Sequence, residues 1–232
     1  MRRLLLTGLL LLAVALGATG GYFTGDYLDT PLATPSGNAA PIGDVSPSEP
    51  SLPVKTPVPN NLAPLQTGLD YKRRTFTVTP KDNPPVQLSI EVPAGWLQTR
   101  DPKAPGEVKF LDRLKERGVR VEAVEPANQT PEDARKQLVV DLKQSQAPEN
   151  DLRIVSQTDD QIQGDDGEPR KVSTLTYTYI PNQTLRYVIV CWVAADGGDF
   201  TTVEMSITGL PQDAPGLAEV LQNATRSVRA TG

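Results

Sequence analysis

The sequence predicts an α/β (α+β) domain in which an antiparallel sheet, mostly a meander, is covered by two helices. Three observations carry this. Short segments between residues 74 and 208 alternate apolar and polar side chains, the period of a half-buried strand. Two other segments, opened by Thr130-Pro131-Glu132-Asp133 and by Asp213, place apolar side chains at helical spacing. The strands that follow the first helix are joined by tight turns, which forces neighbours to run antiparallel.

The elements follow in order. Arg74 to Val78 alternates, Pro80 to Pro85 breaks the pattern, and Val86, Leu88, Ile90 and Val92 resume it, giving a hairpin. Pro93-Ala94-Gly95 ends the second strand and delivers Trp96, after which Val108 to Leu111 and Val119 to Val124 read as short strands. The first helix has a hydroxyl at its N-cap, Pro at its first position and acids in its first turn, where the helix dipole favours them. Ala134, Leu138, Val139 and Leu142 make its one apolar stripe.

Four strands follow: Leu152 to Ile162, Val172 to Ile180, Leu185 to Ala195 and Phe200 to Thr208. The third is apolar at nearly every position after Arg186, so both its faces should be covered, whereas the fourth alternates and should be half exposed. The last helix, capped by Asp213, carries Leu217, Val220, Leu221, Ala224 and Val228 on one face and lies back on the sheet.

The front of the chain has a different character. Arg2 and Arg3 precede an uncharged apolar run from Leu4 to Phe23, the pattern of an export signal. The run is long enough to stay as a membrane anchor, and Ala15, Gly17, Ala18 and Gly20 also suit cleavage; the two readings stand side by side. No cysteine follows the run, so bacterial lipidation is excluded. Residues 1–29 are thus a signal peptide or signal anchor with a short flank. Nine prolines among small polar residues make 30–68 a disordered spacer, and 69–232 the single folded domain. The charge rule puts everything after Phe23 outside the cytoplasm, anchored in the membrane or secreted.

The order of hairpin, Val92-Pro93-Ala94-Gly95-Trp96, short strands, a helix opened by Thr-Pro-Glu-Asp, meander and terminal helix resembles the Mog1/PsbP-like fold. With the export segment and Pro-rich spacer, it is similar to actinobacterial envelope proteins of the LpqN and alanine/proline-rich antigen type. The resemblance covers roughly residues 71 to 228. It implies an accessory or binding module without catalytic residues.

Composition narrows the chemistry. The chain has no histidine and one cysteine, Cys191, which removes the commonest general base, any disulfide within the chain and the paired-cysteine metal spacings. Net charge of −5 without a basic run excludes a nucleic-acid surface. Asp159, Asp160, Asp165, Asp166 and Glu168 offer hard oxygen ligands, but Asp-Gly pairs are what tight turns require, so no metal and no cofactor is expected. Cys191, in the most apolar strand, reads as buried filler. Lys109, Arg113, Lys115, Arg117 and Arg120, interleaved with acids, read as a mixed-charge exposed hairpin. Trp96 and Trp192 are the candidate binding residues, though large aromatics also anchor cores.

Three functions are weighed. The first is a non-enzymatic envelope module that binds a protein or glycan, with the membrane as a further partner if the N-terminal segment stays uncleaved. The second is a carrier of a lipid or small hydrophobe, suggested by the two-sided apolar strand. The third is a hydrolase working through carboxylates alone. An apolar pocket would favour the second and two converging carboxylates the third.

Overall fold

The computed structural model describes residues 53–231. The export segment over 4–23 and the spacer up to residue 52 lie outside the described residues. The elements are β1 (Tyr71–Val78), β2 (Val86–Pro93), β3 (Leu97–Thr99), β4 (Glu107–Leu111), β5 (Gly118–Ala123), α1 (Pro131–Ser145), β6 (Arg153–Gln163), β7 (Pro169–Tyr179), β8 (Arg186–Val193), β9 (Val203–Gly209), α2 (Ala214–Ser227) and β10 (Arg229–Thr231). The fold is α+β, with antiparallel strands and two helices, as expected. Among the described residues, no helix is long and apolar enough to cross a membrane.

The strands divide into two sheets. β3-β4-β5-β9-β8-β7-β6 form the main sheet, and the β1–β2 hairpin joins β10 in a separate three-stranded one. β3 and β10, three residues each, are too short to leave a period in the sequence. β5 pairs β9 from Gly118↔Thr208 to Ala123↔Val203, so the chain leaves the sheet after β5, makes α1, and fills the sheet back toward β5.

Alternation in the strands makes two cores. On one face of the main sheet, Val108, Phe110, Val119, Val121, Ile189, Cys191, Met205 and Ile207 pack with Leu88, Ile90 and Val92 of the small sheet and Leu217, Val220 and Ala224 of α2. On the other face, Leu175, Val188, Val190 and Trp192 pack under Ala134, Leu138, Val139 and Leu142 of α1. β8 is therefore covered on both sides, which is why its sequence shows no alternation. α1 is capped as expected, Thr130 Oγ1 accepting from the Asp133 N–H at 3.2 Å.

Residues 55–68, which composition assigns to a disordered spacer, lie along the domain instead. Lys55 N–H donates to Glu149 O at 2.9 Å and Val58 N–H to Gln183 O at 2.8 Å. Farther on, Leu65 N–H donates to Asp213 Oδ1 at 2.8 Å and Gly68 N–H to Glu219 Oε2 at 2.7 Å. Leu65 packs on the first core, and a Cβ on Gly216 would stand 2.7 Å from its carbonyl, so α2 meets this strap at glycine. Prolines hide such a segment from a periodicity search because it binds mainly through backbone groups and a single leucine rather than through a periodic apolar face. A chain starting at Leu69 should therefore melt several degrees below one starting at Pro53, since it leaves buried donors of Arg117 and a carboxylate of Asp213 short of partners. Matched thermal melts of the two chains check this; equal midpoints would mean the strap contributes nothing.

Candidate functional site: a charged cluster on the main sheet

Cross-strand pairing aligns side chains in rows on the α1 face of the main sheet. Ser173, Trp192, Glu204, Glu122 and Glu107 stand opposite one another along one row, and Leu175, Val190, Ser206, Arg120 and Lys109 along the next. Apart from Ser173, the β7–β8 half of these rows is apolar and lies under α1, whereas the β9–β5–β4 half is charged apart from Ser206. Arg120 is its centre. One guanidinium nitrogen lies 2.5 Å from Glu122 Oε2 and 3.2 Å from Glu107 Oε2, and the other pairs with Glu204 Oε1. Glu107 is also 2.9 Å from Lys109 Nζ, and Glu204 accepts a 3.0 Å hydrogen bond from Trp192 Nε1.

This cluster is half-buried: the Arg120 and Glu122 side chains are 15% and 19% exposed, that of Glu107 4%. Like charges directly opposite one another on neighbouring strands repel, and here three carboxylates share one row. Burial, then the charges of Glu204 and Glu107, push the Glu122 carboxyl up to about 7 against the opposing pull of Arg120. Arg120 itself loses hydration, but the three carboxylates more than compensate and hold it charged. A raised carboxyl beside ionised ones is the sort of perturbation that marks functional sites and structural ion networks alike.

The expected exposed hairpin around residues 103–120 needs correction. Arg117 is buried and donates from Nε to Asp213 Oδ2 at 2.8 Å, from Nη2 to Asp213 Oδ1 at 2.9 Å and to Ala63 O at 2.5 Å. Asp213 does not cap α2 with its side chain; it sits in a short 3-10 turn and also accepts from the N–H groups of Leu210 and Leu65. A carboxylate with donors on both sides reads in sequence as an N-cap, because its true partners are distant in the chain.

The acidic turn at 164–167 is likewise a clamp. Asp165 pairs with Arg73 and Arg229, and Asp166 with Arg170 at 2.6 Å. Arg170, fully buried, donates onward to the carbonyls of Arg226 and Val228 at 2.9 and 2.7 Å, closing the C-terminal end of α2. Asp159 is held by Arg135 and Ser173. Among the described residues, no group of three or more acids or cysteines is placed to hold a metal ion.

Trp96 and Trp192 are both buried, Trp96 in the core between the sheets and Trp192 in the core under α1, so the fold does not bring them together. Only Trp192 borders the charged cluster. Cys191 is fully buried, and burial pushes its thiol up to about 12. Alternation with Val203, Met205 and Ile207 puts Glu204 on a polar strand face, whereas Arg120 falls in the hairpin expected to be exposed; that the two adjoin depends on the β5–β9 pairing, which no local signal announces.

No protein-family model matches the chain, and no curated protein matches it. Among solved structures, the chain is similar to the Ran-binding protein Mog1p of Saccharomyces cerevisiae, at 12% identity and a TM-score of 0.42, over 68% of this chain and 96% of that one.

Proposed function

We propose that the chain is an exported, non-enzymatic binding module of the cell envelope, of the actinobacterial LpqN or alanine/proline-rich antigen type, that recognises a protein or glycan partner. The observation that supports it most is how the domain uses its ionisable groups: Asp159, Asp165, Asp166 and Asp213 are each committed to an arginine, and the one thiol is buried without a base. Such groups hold a scaffold together. Export rests on Arg2, Arg3 and the apolar run over 4–23.

One experiment separates the two halves of this reading. A membrane-impermeant, amine-reactive crosslinker applied to intact cells should label the full chain and yield a discrete higher-mass adduct. Labelling only after lysis would refute export; labelling without an adduct would refute the binding role.

The carrier alternative loses its motive, because both faces of β8 are filled by the protein's own side chains. A depression of about 330 Å³ at the end of the β6–β7 hairpin, lined by Gln161, Ile162, Gln163, Gly167 and Pro169, lies open to solvent and does not enclose a hydrophobe. The carboxylate-hydrolase alternative is favoured by one observation: Glu107, Glu122 and Glu204 converge, and Glu122 titrates near neutrality as a general acid should. Against it, all three contact Arg120, which holds them in place rather than free toward a substrate.

A further inference from the structure

Of the three carboxylates around Arg120, two have a second charged or hydrogen-bonding partner among the described residues and one does not. Glu107 is ion-paired with Lys109, Glu204 accepts from the Trp192 indole, and among the described residues Glu122 pairs with Arg120 alone while standing between the other two in the row. With all three ionised, the cluster carries one more negative than positive charge, counting Lys109 and Arg120. The carboxylate that gives up its charge most readily is therefore the middle one. We propose that Glu122 is a proton-operated switch: its protonation neutralises the α1 face of β4, β5 and β9 and releases Arg120 to Glu107 and Glu204, so that the contact between Glu204 and Trp192 reports the state of Glu122.

The groups that face Glu122 are few. β4 contributes Glu107 and Lys109, β5 Arg120 and β9 Glu204; beyond β8, Tyr177 of β7 is close enough to feel Arg120 and Glu204. Burial, then Tyr179, keeps the Tyr177 hydroxyl protonated through the range that matters, and the carboxylates around Arg120 hold its guanidinium charged there. Glu122, the middle carboxylate of the row, is the one that burial and its two like-charged neighbours push toward neutrality. The switch follows from the cluster itself and goes beyond the binding role, which can fail without it.

The test uses the full chain in detergent, labelled with nitrogen-15. Its two tryptophans, Trp96 and Trp192, lie in separate cores, so the Trp96 indole serves as an internal reference. From pH 5 to 9 the Trp192 indole resonance should move along a single titration curve with its midpoint within about a unit of 7, the Trp96 resonance should stay put, and Glu122→Gln should abolish the movement. Thermal melts give a second readout. Because the folded state holds a proton that the unfolded chain releases above about 4.5, stability should fall as pH rises from there toward 7, and Glu122→Gln should flatten that fall. A Trp192 resonance that is flat in the unmodified chain, or that titrates with the same midpoint in Glu122→Gln, would overturn the switch. Should Glu122→Gln not fold, carbon-13 labelling of the glutamate carboxyls in the unmodified chain decides, since no carboxyl titrating near 7 would overturn it equally.

Discussion

Asp213→Ala should destabilise the domain by about 3–5 kcal/mol, the range found when one partner of a buried ion pair is removed. Asp213 is fully buried and accepts from Arg117, Leu210 N–H and Leu65 N–H. Its loss strands the Arg117 guanidinium, whose side chain is 9% exposed, and unfastens both the strap and the entry to α2. Burial alone would raise this carboxyl, but the Arg117 hydrogen bonds and the two backbone N–H groups outweigh it and hold the group below the usual 3.8. A carboxyl depressed in the folded state stabilises fully above its unfolded value, and the benefit is lost as pH falls through the folded one. The unmodified domain should therefore lose stability below about pH 4 by a step that Asp213→Ala lacks. Adding Arg117→Met should recover part of the loss, because it removes the stranded charge. Denaturant melts at pH 7 and pH 3 read all three effects; a loss below about 1 kcal/mol at pH 7 would show that the pair is not what fastens the strap.

The two cores and the fold class were legible because they rest on period. Val203, Met205 and Ile207 alternate with Glu204 and Ser206, and the observed burial follows that alternation residue by residue. The uninterrupted run in β8 correctly signalled a strand covered twice. What stayed hidden shares one cause, sequence distance. Arg117 and Asp213 lie 96 residues apart, Arg120 and Glu204 84 residues apart, and Leu65 and Asp213 148 residues apart. Each charged residue taken alone looks like a solvated one, so the spacing that suggested an exposed hairpin at 103–120 concealed two arginines that are the centres of buried or half-buried networks. The separation of β1–β2 into its own sheet was hidden for the same reason, since its third strand, β10, is formed by residues 229–231.

Trp192→Ala should cost about 3–5 kcal/mol and threaten folding itself, whereas Glu204→Gln should cost much less and leave the fold intact. Trp192 is 3% exposed and fills the core between β8 and α1, so truncation opens a cavity that neighbours on a central strand cannot collapse into. Glu204 loses the indole N–H as a donor as well. Glu204→Gln keeps an oxygen for that N–H and gives up only one of the three carboxylates around Arg120, at a site whose side chain is 24% exposed. Asp166→Ala belongs nearer the tryptophan than the glutamate: although it lies in a turn, it leaves Arg170 without its ion-pair partner inside the protein. Ranking the three by stability thus separates scaffold from site. If the domain is a binding module, Glu204→Gln keeps its melting temperature, and any loss it shows is loss of partner adducts. If instead Glu204→Gln or Glu122→Gln keeps its melting temperature yet abolishes a measurable turnover, the converging carboxylates are catalytic, and the hydrolase reading replaces the binding one.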